Sequence, residues 1–196
     1  MNTPLPLNRT RHSDLRVGIV STEEERLKAY AVRIAVYLEG QDCPWDEELD
    51  GNDQVATHVL AQLGGEPVGC IRLRFFAGFA KLERLAVRDS FRGRGYADPL
   101  VRFAMEHVAR KGYHTLVLHA QSGRETFWEQ YGFSRIAGRR AFDFSGVDYT
   151  EMAAALPHAA DPVTLAWDAM RHNRPEGDWD RRGVLESSEA ALQRPA

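Results

Sequence analysis

One stretch of this chain restricts its fold and function more than any other: a strand, a loop rich in arginine and glycine, and a helix, in that order. The strand is predicted over residues 81–87, the loop over residues 88–97, and the helix from Asp98-Pro99, with Asp98 as the N-cap and Pro99 at the first helical position. Small residues let backbone amides turn toward a ligand, and a helix N-terminus offers free N–H groups and a positive dipole end. The stretch therefore predicts a phosphate-binding turn, and the alternative is a surface turn with solvated arginines.

The segments on either side alternate between strand and helix patterns. Leu15, Val17 and Ile19 recur at every second position, as in a half-buried strand, and the Ser-Thr-Glu-Glu of residues 21–24 predicts a capping box at the start of a helix. Further predicted elements are strands at residues 57–63 and 67–75 joined by a Gly-Gly turn, a strand at 115–120, a short helix at 123–130 and strand material at 133–144. The order β-α-β-β-β-α-β-α-β predicts a mixed α/β (α+β) domain.

We divide the chain of 196 residues into three parts. Residues 1–14 are polar with two prolines and predict a loose N-terminal arm, residues 15–150 form the folded domain, and residues 151–196 form a C-terminal extension. In the extension, Asp161-Pro162 predicts one more helix, to about Met170. Trp167 and Trp179 are expected to dock the extension on the domain.

Composition and charge narrow the classes of partner. The 25 Lys and Arg against 28 Asp and Glu give a net charge of −3, so no basic field predicts a nucleic acid partner. No apolar run approaches the ~20 residues of a membrane span. The two cysteines, Cys43 and Cys70, lie in no metal-ligand pattern. We therefore expect no metal, no membrane, no secretion signal and a reducing, cytoplasmic setting.

The loop itself carries a signature. Arg92, Gly95 and Ala97 fit the pattern Arg/Gln-x-x-Gly-x-Gly/Ala, whereas the GK[ST] of a Walker loop is absent and Asp98 stands where a dinucleotide fingerprint needs a small residue. With this loop the sequence resembles the GNAT superfamily of acyl-CoA N-acyltransferases. The resemblance covers residues 15–150, and its other motifs are the strand 82–87, Gln121 followed by Phe-Trp-Glu-Gln-Tyr-Gly-Phe at 127–133, and Glu48-x-Asp50-x-x-Asp53 followed by His58.

The resemblance implies a GNAT fold, a twisted mixed sheet that splays between its fourth and fifth strands, with acetyl-CoA as co-substrate along the strand 81–87. By the same resemblance, the backbone N–H of Leu85 would stabilise the oxyanion. The resemblance assigns CoA binding to residues of the strand, of the loop and of the segments that follow the loop. These residues are Leu85, Ala86, Val87, Arg92, Gly93, Arg94, Gly95, Tyr96, Ala97, Gln121 and Trp128.

Attack of an amine on a thioester needs a group that takes the amine proton. Glu83 is our candidate, directly or through a water, and the alternative is a carboxylate paired with Arg72 or Arg74 on the neighbouring strand. The tyrosine that the family often places as general acid is matched here by Trp128, which has no suitably acidic proton. Either Tyr131, three residues along on the same helix face, is the acid, or the thiolate leaves without a side-chain acid.

The acceptor is left open by the sequence. Residues 39–53 carry seven carboxylates and no Lys or Arg, which indicates either a site for a cationic or amine acceptor or a solvated acidic loop. His58 and His119 are interpreted as structural histidines and Cys70 as a core residue. The candidate acceptor-binding residues are Trp45, Glu48, Asp50 and Asp53.

Three functions are compatible with these motifs. The first is an N-acetyltransferase that moves an acetyl group from acetyl-CoA to a primary amine of a small molecule or peptide. The second is a non-catalytic acyl-CoA-binding regulatory module, suggested by Trp128. The third is an acyl-homoserine-lactone synthase, which Trp45, the Asp50 and Asp53 pair and Arg72 suggest and the intact loop counts against. A homodimer is also left open.

Overall fold

The computed structural model describes residues 14–144 and 146–192, and residues 1–13 of the predicted N-terminal arm lie outside this part of the chain. The strands are β1 (Leu15–Ile19), β2 (Thr57–Leu63), β3 (Glu66–Phe76), β4 (Phe79–Val87), β5 (Thr115–Gln121), β6 (Ser134–Arg135), β7 (Phe142–Phe144) and β8 (Val147–Ala155). The α-helices are α1 (Glu23–Arg33), α2 (Glu39–Gln41), α3 (Trp45–Glu48), α4 (Ala97–Arg110), α5 (Glu125–Glu129) and α6 (Val184–Leu192).

These strands form one sheet in the order β1-β2-β3-β4-β5-β8-β6, with β7 paired to β8. All neighbours in the described sheet run antiparallel except β4 and β5, which are parallel. A parallel pair needs a crossover connection, and α4 lies within it. The predicted α/β (α+β) class, a mixed sheet flanked by helices, is confirmed.

The first helix begins with a capping box, one residue later than predicted. Thr22 is the N-cap, and its hydroxyl accepts a hydrogen bond from the backbone N–H of Glu25 (3.2 Å). The Glu25 carboxylate in turn accepts from the backbone N–H of Thr22 (3.3 Å). Both bonds satisfy N–H groups that a helix start leaves without partners. The helix continues through a π-helical turn at Ile34–Leu38 into α2.

Helices α1 and α4 pack on opposite faces of the sheet. Successive strand residues point to opposite faces, so Val59 and Ala61 of β2 pack in the same buried cluster as Leu100 of α4. Leu60 between them packs in a second cluster with Val32 of α1. Each helix therefore covers its own apolar layer.

Strand β4 contains a β-bulge. Arg72 of β3 pairs with Glu83 and Cys70 pairs with Ala86, so β4 carries one residue more than β3 between these two pairs. Arg84, inside the bulge, has φ +53°, in the left-handed region that residues other than glycine rarely adopt. A bulge reverses the faces of the residues that follow it, and bulges are frequent next to functional sites.

The sheet opens between β4 and β5, as the resemblance implies. The parallel ladder joins residues 80–82 of β4 to residues 116–118 of β5, and its last pair is Leu82 and Leu118. Both strands continue beyond this pair, β4 to Val87 and β5 to Gln121. A gap therefore separates their C-terminal halves.

Helix α4 begins at Ala97 with Tyr96 as its N-cap, so the prediction that Asp98 caps it is wrong. Asp98 lies in the first turn, where a carboxylate is favoured by the positive end of the helix dipole, and it accepts a hydrogen bond from Arg102 Nε (2.9 Å). Pro99 follows within the first turn, where backbone N–H groups have no acceptor inside the helix, so the missing N–H costs little.

The C-terminal extension contacts α4 through a buried tryptophan, a hydrogen bond and an ion pair. Trp179 is 6% exposed and stacks on His107 of α4, with ring centroids 4.9 Å apart. Glu176 lies 2.7 Å from His107 Nε2, and Asp180 lies 2.7 Å from Arg110 Nη1. The expected role of Trp179 agrees with these contacts.

The helix predicted for residues 161–170 is wrong, because these residues form turns. Leu165 is 95% exposed and Val163, Trp167 and Met170 are only partly buried, so this segment buries little apolar surface. Asp161 instead accepts hydrogen bonds from Trp167 Nε1 (3.2 Å) and Arg171 Nη2 (2.9 Å), which places Trp167 against the extension itself. Strand β8 runs through position 150 to Ala155, and a boundary between domain and extension at 150 stays a prediction.

Candidate active site

The opening in the sheet forms a cavity of about 820 Å³. Its lining comes from β3, β4, β5, β7 and β8, from the loop before α4 and the start of α4, from α5 and from the segment 36–50. These segments are remote in sequence, and they meet around the gap between β4 and β5. The cavity is the candidate active site.

The glycine-arginine loop closes one end of the cavity, where β4 ends. Gly93 and Gly95 have φ values of +71° and +81°, which turn the chain sharply, and a Cβ at either position would meet no atom within 4 Å. Arg92 and Ala97 line the cavity on either side of this turn. Arg92 Nε donates to the carbonyl oxygen of Val87 (3.1 Å), which ties the turn back to the end of β4.

The residues predicted to bind CoA fall into three groups. Ala86 is 1% exposed and packs beneath α1, and Tyr96 is 4% exposed with its ring 6.2 Å from that of Phe91. Gly93, Arg94 and Gly95 form the turn. The members that line the cavity are Leu85, Val87, Arg92, Ala97, Gln121 and Trp128.

Glu83 lines the cavity and is also a paired carboxylate. Its Oε2 lies 2.9 Å from Arg72 Nη2, and its Oε1 lies 2.8 Å from Lys81 Nζ and 3.9 Å from Arg74 Nη1. Burial would raise the pKa of Glu83, but the hydrogen bond from Lys81 and the charge of Arg72 outweigh burial and hold the pKa below its usual value. The side chain is therefore ionised at neutral pH. The ion-pair alternative considered from the sequence is therefore observed, and the role of Glu83 as a base stays a prediction.

The acidic segment folds inward onto arginines. Glu48 is 1% exposed and accepts from Arg33 Nε at 2.5 Å, and Asp53 accepts from Arg33 Nη1 at 2.5 Å. Arg72 Nη2 lies 2.6 Å from Asp50, and Arg72 Nη1 lies 3.1 Å from Asp53. We call Arg33, Arg72, Arg84, Glu48, Asp50, Asp53 and Glu83 the arginine network.

This network changes what the acidic residues assigned to the acceptor can do. Asp50 lines the cavity, whereas Glu48 and Asp53 are buried beneath it and Trp45 is 61% exposed outside its lining. Burial opposes ionisation of Asp53, but Arg33 and Arg72 outweigh burial and lower its pKa. A lowered pKa stabilises the fold above the ordinary pKa of aspartate, and this contribution is lost as the pH falls through the lower folded value.

The network also holds the bulge of β4. Arg84 Nε lies 2.7 Å from Glu48 Oε2, and Arg84 Nη2 donates to the carbonyl oxygen of Glu47 (2.6 Å). On the next residue, the carbonyl oxygen of Leu85 accepts from the hydroxyl of Tyr37 (2.7 Å). These contacts fix a strained backbone against α3 and the segment before it.

The two aromatic residues considered for the leaving group share one buried cluster, with ring centroids 6.5 Å apart, but differ in their access to the cavity. Trp128 lines the cavity. Tyr131 packs in the core, and its hydroxyl donates to Asp98 Oδ1 (3.2 Å). Burial and the charge of Asp98 raise the pKa of Tyr131 to about 12. Helix α5 ends at Glu129, so helical spacing does not carry Tyr131 onto the face of Trp128.

Two cavity residues were missed as functional candidates in the sequence. Tyr149 of β8 lines the cavity and accepts a hydrogen bond from Gln121 Nε2 (3.2 Å). His119, interpreted above as structural, follows Leu118, so it faces Glu83 where the ladder ends. Burial and then the charge of Lys81 lower the pKa of His119, so its imidazole is neutral at pH 7. The strand register of β4 and β5 could have placed His119 next to Glu83 in the site. No local sequence pattern identifies Tyr149 as a cavity residue.

Within the part of the chain that the structure describes, no helix is long and apolar enough to cross a membrane. Among residues 14–144 and 146–192, no three His, Cys, Asp or Glu side chains are grouped to hold a metal ion.

Comparison with known proteins identifies relatives. A profile of the family described as "Acetyltransferase (GNAT) domain" matches residues 37–156. The Bacillus subtilis (strain 168) protein named "Uncharacterized N-acetyltransferase YjcF" is 30% identical over 136 residues, which are 69% of this chain and 96% of that protein.

Solved structures share the fold. An acyl-CoA N-acyltransferase from Pseudomonas aeruginosa superposes with a TM-score of 0.65 at 23% identity, over 72% of this chain and 99% of that one. A GNAT family acetyltransferase from Elizabethkingia anophelis, solved with acetyl-CoA bound, superposes with a TM-score of 0.58 at 16% identity, over 73% of this chain and 99% of that one. The profile match takes in β2 to β8 and the glycine-arginine loop, which are the elements that build the cavity. The chain belongs to the GNAT acetyltransferase family.

Proposed function

We propose that this protein transfers the acetyl group of acetyl-CoA to a primary amine of a small molecule or peptide, and that both substrates meet in the cavity. One observation carries the proposal. The β4–β5 ladder ends at Leu82 and Leu118, and the gap leads to the turn at Gly93 and Gly95 before α4. A slot between strands with a helix N-terminus at one end suits a thioester carried on a pyrophosphate-bearing arm.

The residues around the slot fit this donor. Leu85, Val87 and Trp128 offer apolar surface to a pantetheine chain. Arg92 offers positive charge beside the glycine turn, and Arg124 before α5 adds positive charge to the cavity lining. The open space at the two glycines leaves room for phosphate oxygens close to backbone N–H groups. An acetyl-CoA-bound relative with the same fold supports the same donor here.

The acceptor reacts as the neutral amine, because an ammonium nitrogen has no lone pair, and the proton of the ammonium form is lost to solvent before attack. The amine nitrogen attacks the thioester carbonyl carbon and a C–N bond forms, while the carbonyl oxygen becomes an oxyanion. The C–S bond then breaks, the CoA thiolate leaves with the bonding electrons, and the nitrogen loses a proton. We assign stabilisation of the oxyanion to the backbone N–H of Leu85, next to the bulge. Glu83 takes the proton, directly or through a water. Because its pKa is lowered and a free ammonium has a pKa of ~10, this transfer follows C–N bond formation, when the nitrogen is far more acidic.

Removing the proposed base should slow turnover more than it weakens donor binding. Glu83→Gln keeps the size and hydrogen bonding of the side chain, so kcat should fall about 10²-fold or more while the Kd for acetyl-CoA changes by less than about threefold. Steady-state kinetics and calorimetry measure the two quantities. Glu151→Gln, at a carboxylate 3.8 Å from His119 and outside the cavity lining, is the matched control and should leave kcat within about threefold. Wild-type turnover of Glu83→Gln at every pH would assign the proton to another group, with His119 the next candidate.

Phenylalanine variants of the two tyrosines should distinguish the candidates for the general acid. Tyr131→Phe should change kcat by less than about tenfold, because its hydroxyl is bonded to Asp98, and should lower the free energy of unfolding by about 1 kcal/mol. Tyr149→Phe removes a hydroxyl from the cavity, so a larger loss of kcat there would identify Tyr149 as the acid. A hundredfold loss of kcat in Tyr131→Phe, with CoA affinity intact, would contradict this assignment.

The proposed function is tested in two steps. Calorimetric titration with acetyl-CoA, longer acyl-CoAs and S-adenosylmethionine tests the donor, and release of free thiol from acetyl-CoA in the presence of an amine panel tests transfer. We expect acetyl-CoA to bind and the amines to accelerate thiol release. Binding without turnover would favour the acyl-CoA-binding regulatory module, for which Trp128 in place of a tyrosine argues. Absence of acetyl-CoA binding would overturn the proposal.

We also propose that the protein works in the cytoplasm. Cys43 and Cys70 are both free thiols, as expected in a reducing compartment. Burial raises the pKa of the Cys70 thiol to about 12, so this side chain is a core residue and not a nucleophile.

A further inference from the structure

Three aromatic rings form a wall along one side of the cavity. Phe142 and Phe144 lie two residues apart on β7, and Tyr149 pairs with Phe142 from β8, so the three side chains share one face of the sheet. The rings of Phe142 and Tyr149 are stacked with centroids 5.9 Å apart, and Phe144 meets Tyr149 at 6.2 Å. All three line the cavity, and we call them the aromatic wall.

The aromatic wall is exposed, in contrast to the aromatic residues of the core. Phe142 is 38% exposed and Phe144 is 42% exposed, whereas Phe133 in the core is 2% exposed. Packing within the protein therefore does not account for these rings. Contiguous apolar surface left open beside a cavity marks a ligand-binding surface.

The aromatic wall borders the place where the thioester would react. The edge of Phe142 meets the ring of His119, with centroids 4.9 Å apart, and the hydroxyl of Tyr149 is bonded to Gln121. His119 and Gln121 belong to the part of β5 that has left the ladder with β4. An acceptor lying on the wall would therefore reach the gap that Glu83 faces.

The charges that line the cavity are close to balanced. Asp50 and Glu83 are each already paired with Arg72. The cavity thus has no surplus of negative charge that would attract an acceptor with several ammonium groups. The acidic side chains of the lining are Asp46, Glu47, Asp50 and Glu83, and the basic ones are Arg74, Lys81, Arg84, Arg92 and Arg124.

We propose that the acceptor is a monoamine with a flat aromatic body, an arylalkylamine, whose ring packs on the aromatic wall while its amine points toward the thioester. This inference rests on the proposed function and names the substrate class of the same site. Aromatic rings attract each other in offset or edge-to-face geometry, and the face of a ring also attracts an ammonium group. A small aliphatic amine would leave the wall uncovered, and a polyamine would find no matching negative field.

Calorimetry on the full chain loaded with coenzyme A tests the proposal without turnover. The probes are 2-phenylethylamine, ethylamine, which is the same alkylamine without the ring, and spermidine. The Kd of 2-phenylethylamine should be at least about tenfold lower than those of the other two. Phe142→Leu keeps an apolar side chain but removes the ring, so it should raise the Kd of 2-phenylethylamine about fivefold or more. Phe79→Leu, at a ring stacked on Phe76 outside the cavity lining, is the matched control and should change nothing.

Four results would overturn the acceptor assignment: equal affinity for ethylamine, tighter binding of spermidine, no binding of any probe, or an unchanged Kd in Phe142→Leu. Urea unfolding of each variant reports folding, and acetyl-CoA titration reports the donor site. A weakened acetyl-CoA affinity in a folded Phe142→Leu would assign the wall to the donor and also overturn the proposal. Failure of the wild-type protein to bind acetyl-CoA is a separate result. It would overturn the proposed function, and the acceptor proposal with it.

Discussion

Replacing Gly95 with glutamate is expected to abolish acetyl-CoA binding while the protein stays folded. Gly95 has φ +81°, and the space at its Cβ position is open. In Gly95→Glu a carboxylate enters this space, where we place the pyrophosphate. Two like charges ~4 Å apart near a protein surface repel by about 4 kcal/mol, so the Kd should rise at least about a hundredfold by calorimetry.

A variant at a second glycine distinguishes the effect of the added charge from the effect of backbone strain. Gly78 lies in the turn before β4, at the opposite end of that strand, with φ +86° and no atom within 4 Å of a Cβ position. Gly78→Glu therefore introduces the same side chain and a similar strain of about 1–2 kcal/mol away from the cavity. Both variants should lose similar stability, and only Gly95→Glu should lose acetyl-CoA. Unchanged affinity in Gly95→Glu would refute the assignment of the loop.

Replacing Arg33 with methionine is expected to give the largest loss of stability. Arg33 is 1% exposed and bonded to both Glu48 and Asp53. Arg33→Met keeps an apolar chain but leaves two buried carboxylates short of a counter-charge. Breaking such a buried ion pair from one side costs about 3–5 kcal/mol. Urea unfolding should show a loss of this size in the free energy of unfolding.

The matched control lies on the same helix. Arg26 has a side chain that is 32% exposed and lies 3.6 Å from Glu23, whose side chain is 76% exposed. Exposed pairs contribute about 0–1 kcal/mol, so Arg26→Met should cost less than about 1 kcal/mol. If the two variants lost the same stability, the arginine network would not be the structural element that we describe.

The order of the elements and the position of the glycine-arginine loop could be predicted because their causes are local. A turn through two residues with positive φ needs glycine, so Gly93 and Gly95 mark the loop within a few positions of the helix it precedes. The Gly64-Gly65 turn between β2 and β3 is predicted in the same way. Alternating apolar residues predict the strands on either side of the Gly64-Gly65 turn. The helix assigned to 161–170 failed because a cap without a buried apolar face does not make a helix.

The partners of the acidic segment and the tyrosine that lines the cavity could not be predicted, because the residues that contact them lie far along the chain. The sequence assigns Glu48 and Asp53 to acceptor binding. In the structure both are buried and bonded to Arg33, which lies 15 and 20 residues earlier in the chain. Asp50 contacts Arg72 although 22 residues of sequence separate them, whereas the pairing of Glu83 with Arg72 is one of the two alternatives that the neighbouring strands indicate. Which carboxylates are neutralised, and which reach the cavity, depends on packing that sequence spacing does not express.

By itself the sequence determined the fold class, the GNAT family and the glycine-arginine loop before α4, since each follows from backbone conformation and side-chain pattern over a few neighbouring residues. Only the tertiary structure decided which side chains line the cavity. The pairing of β5 with β4 and β8 brings His119 and Tyr149 to the cavity, while the end of α5 at Glu129 leaves Tyr131 in the core. Strand register is set by the burial of whole faces of the sheet, and that is a property of the assembled chain.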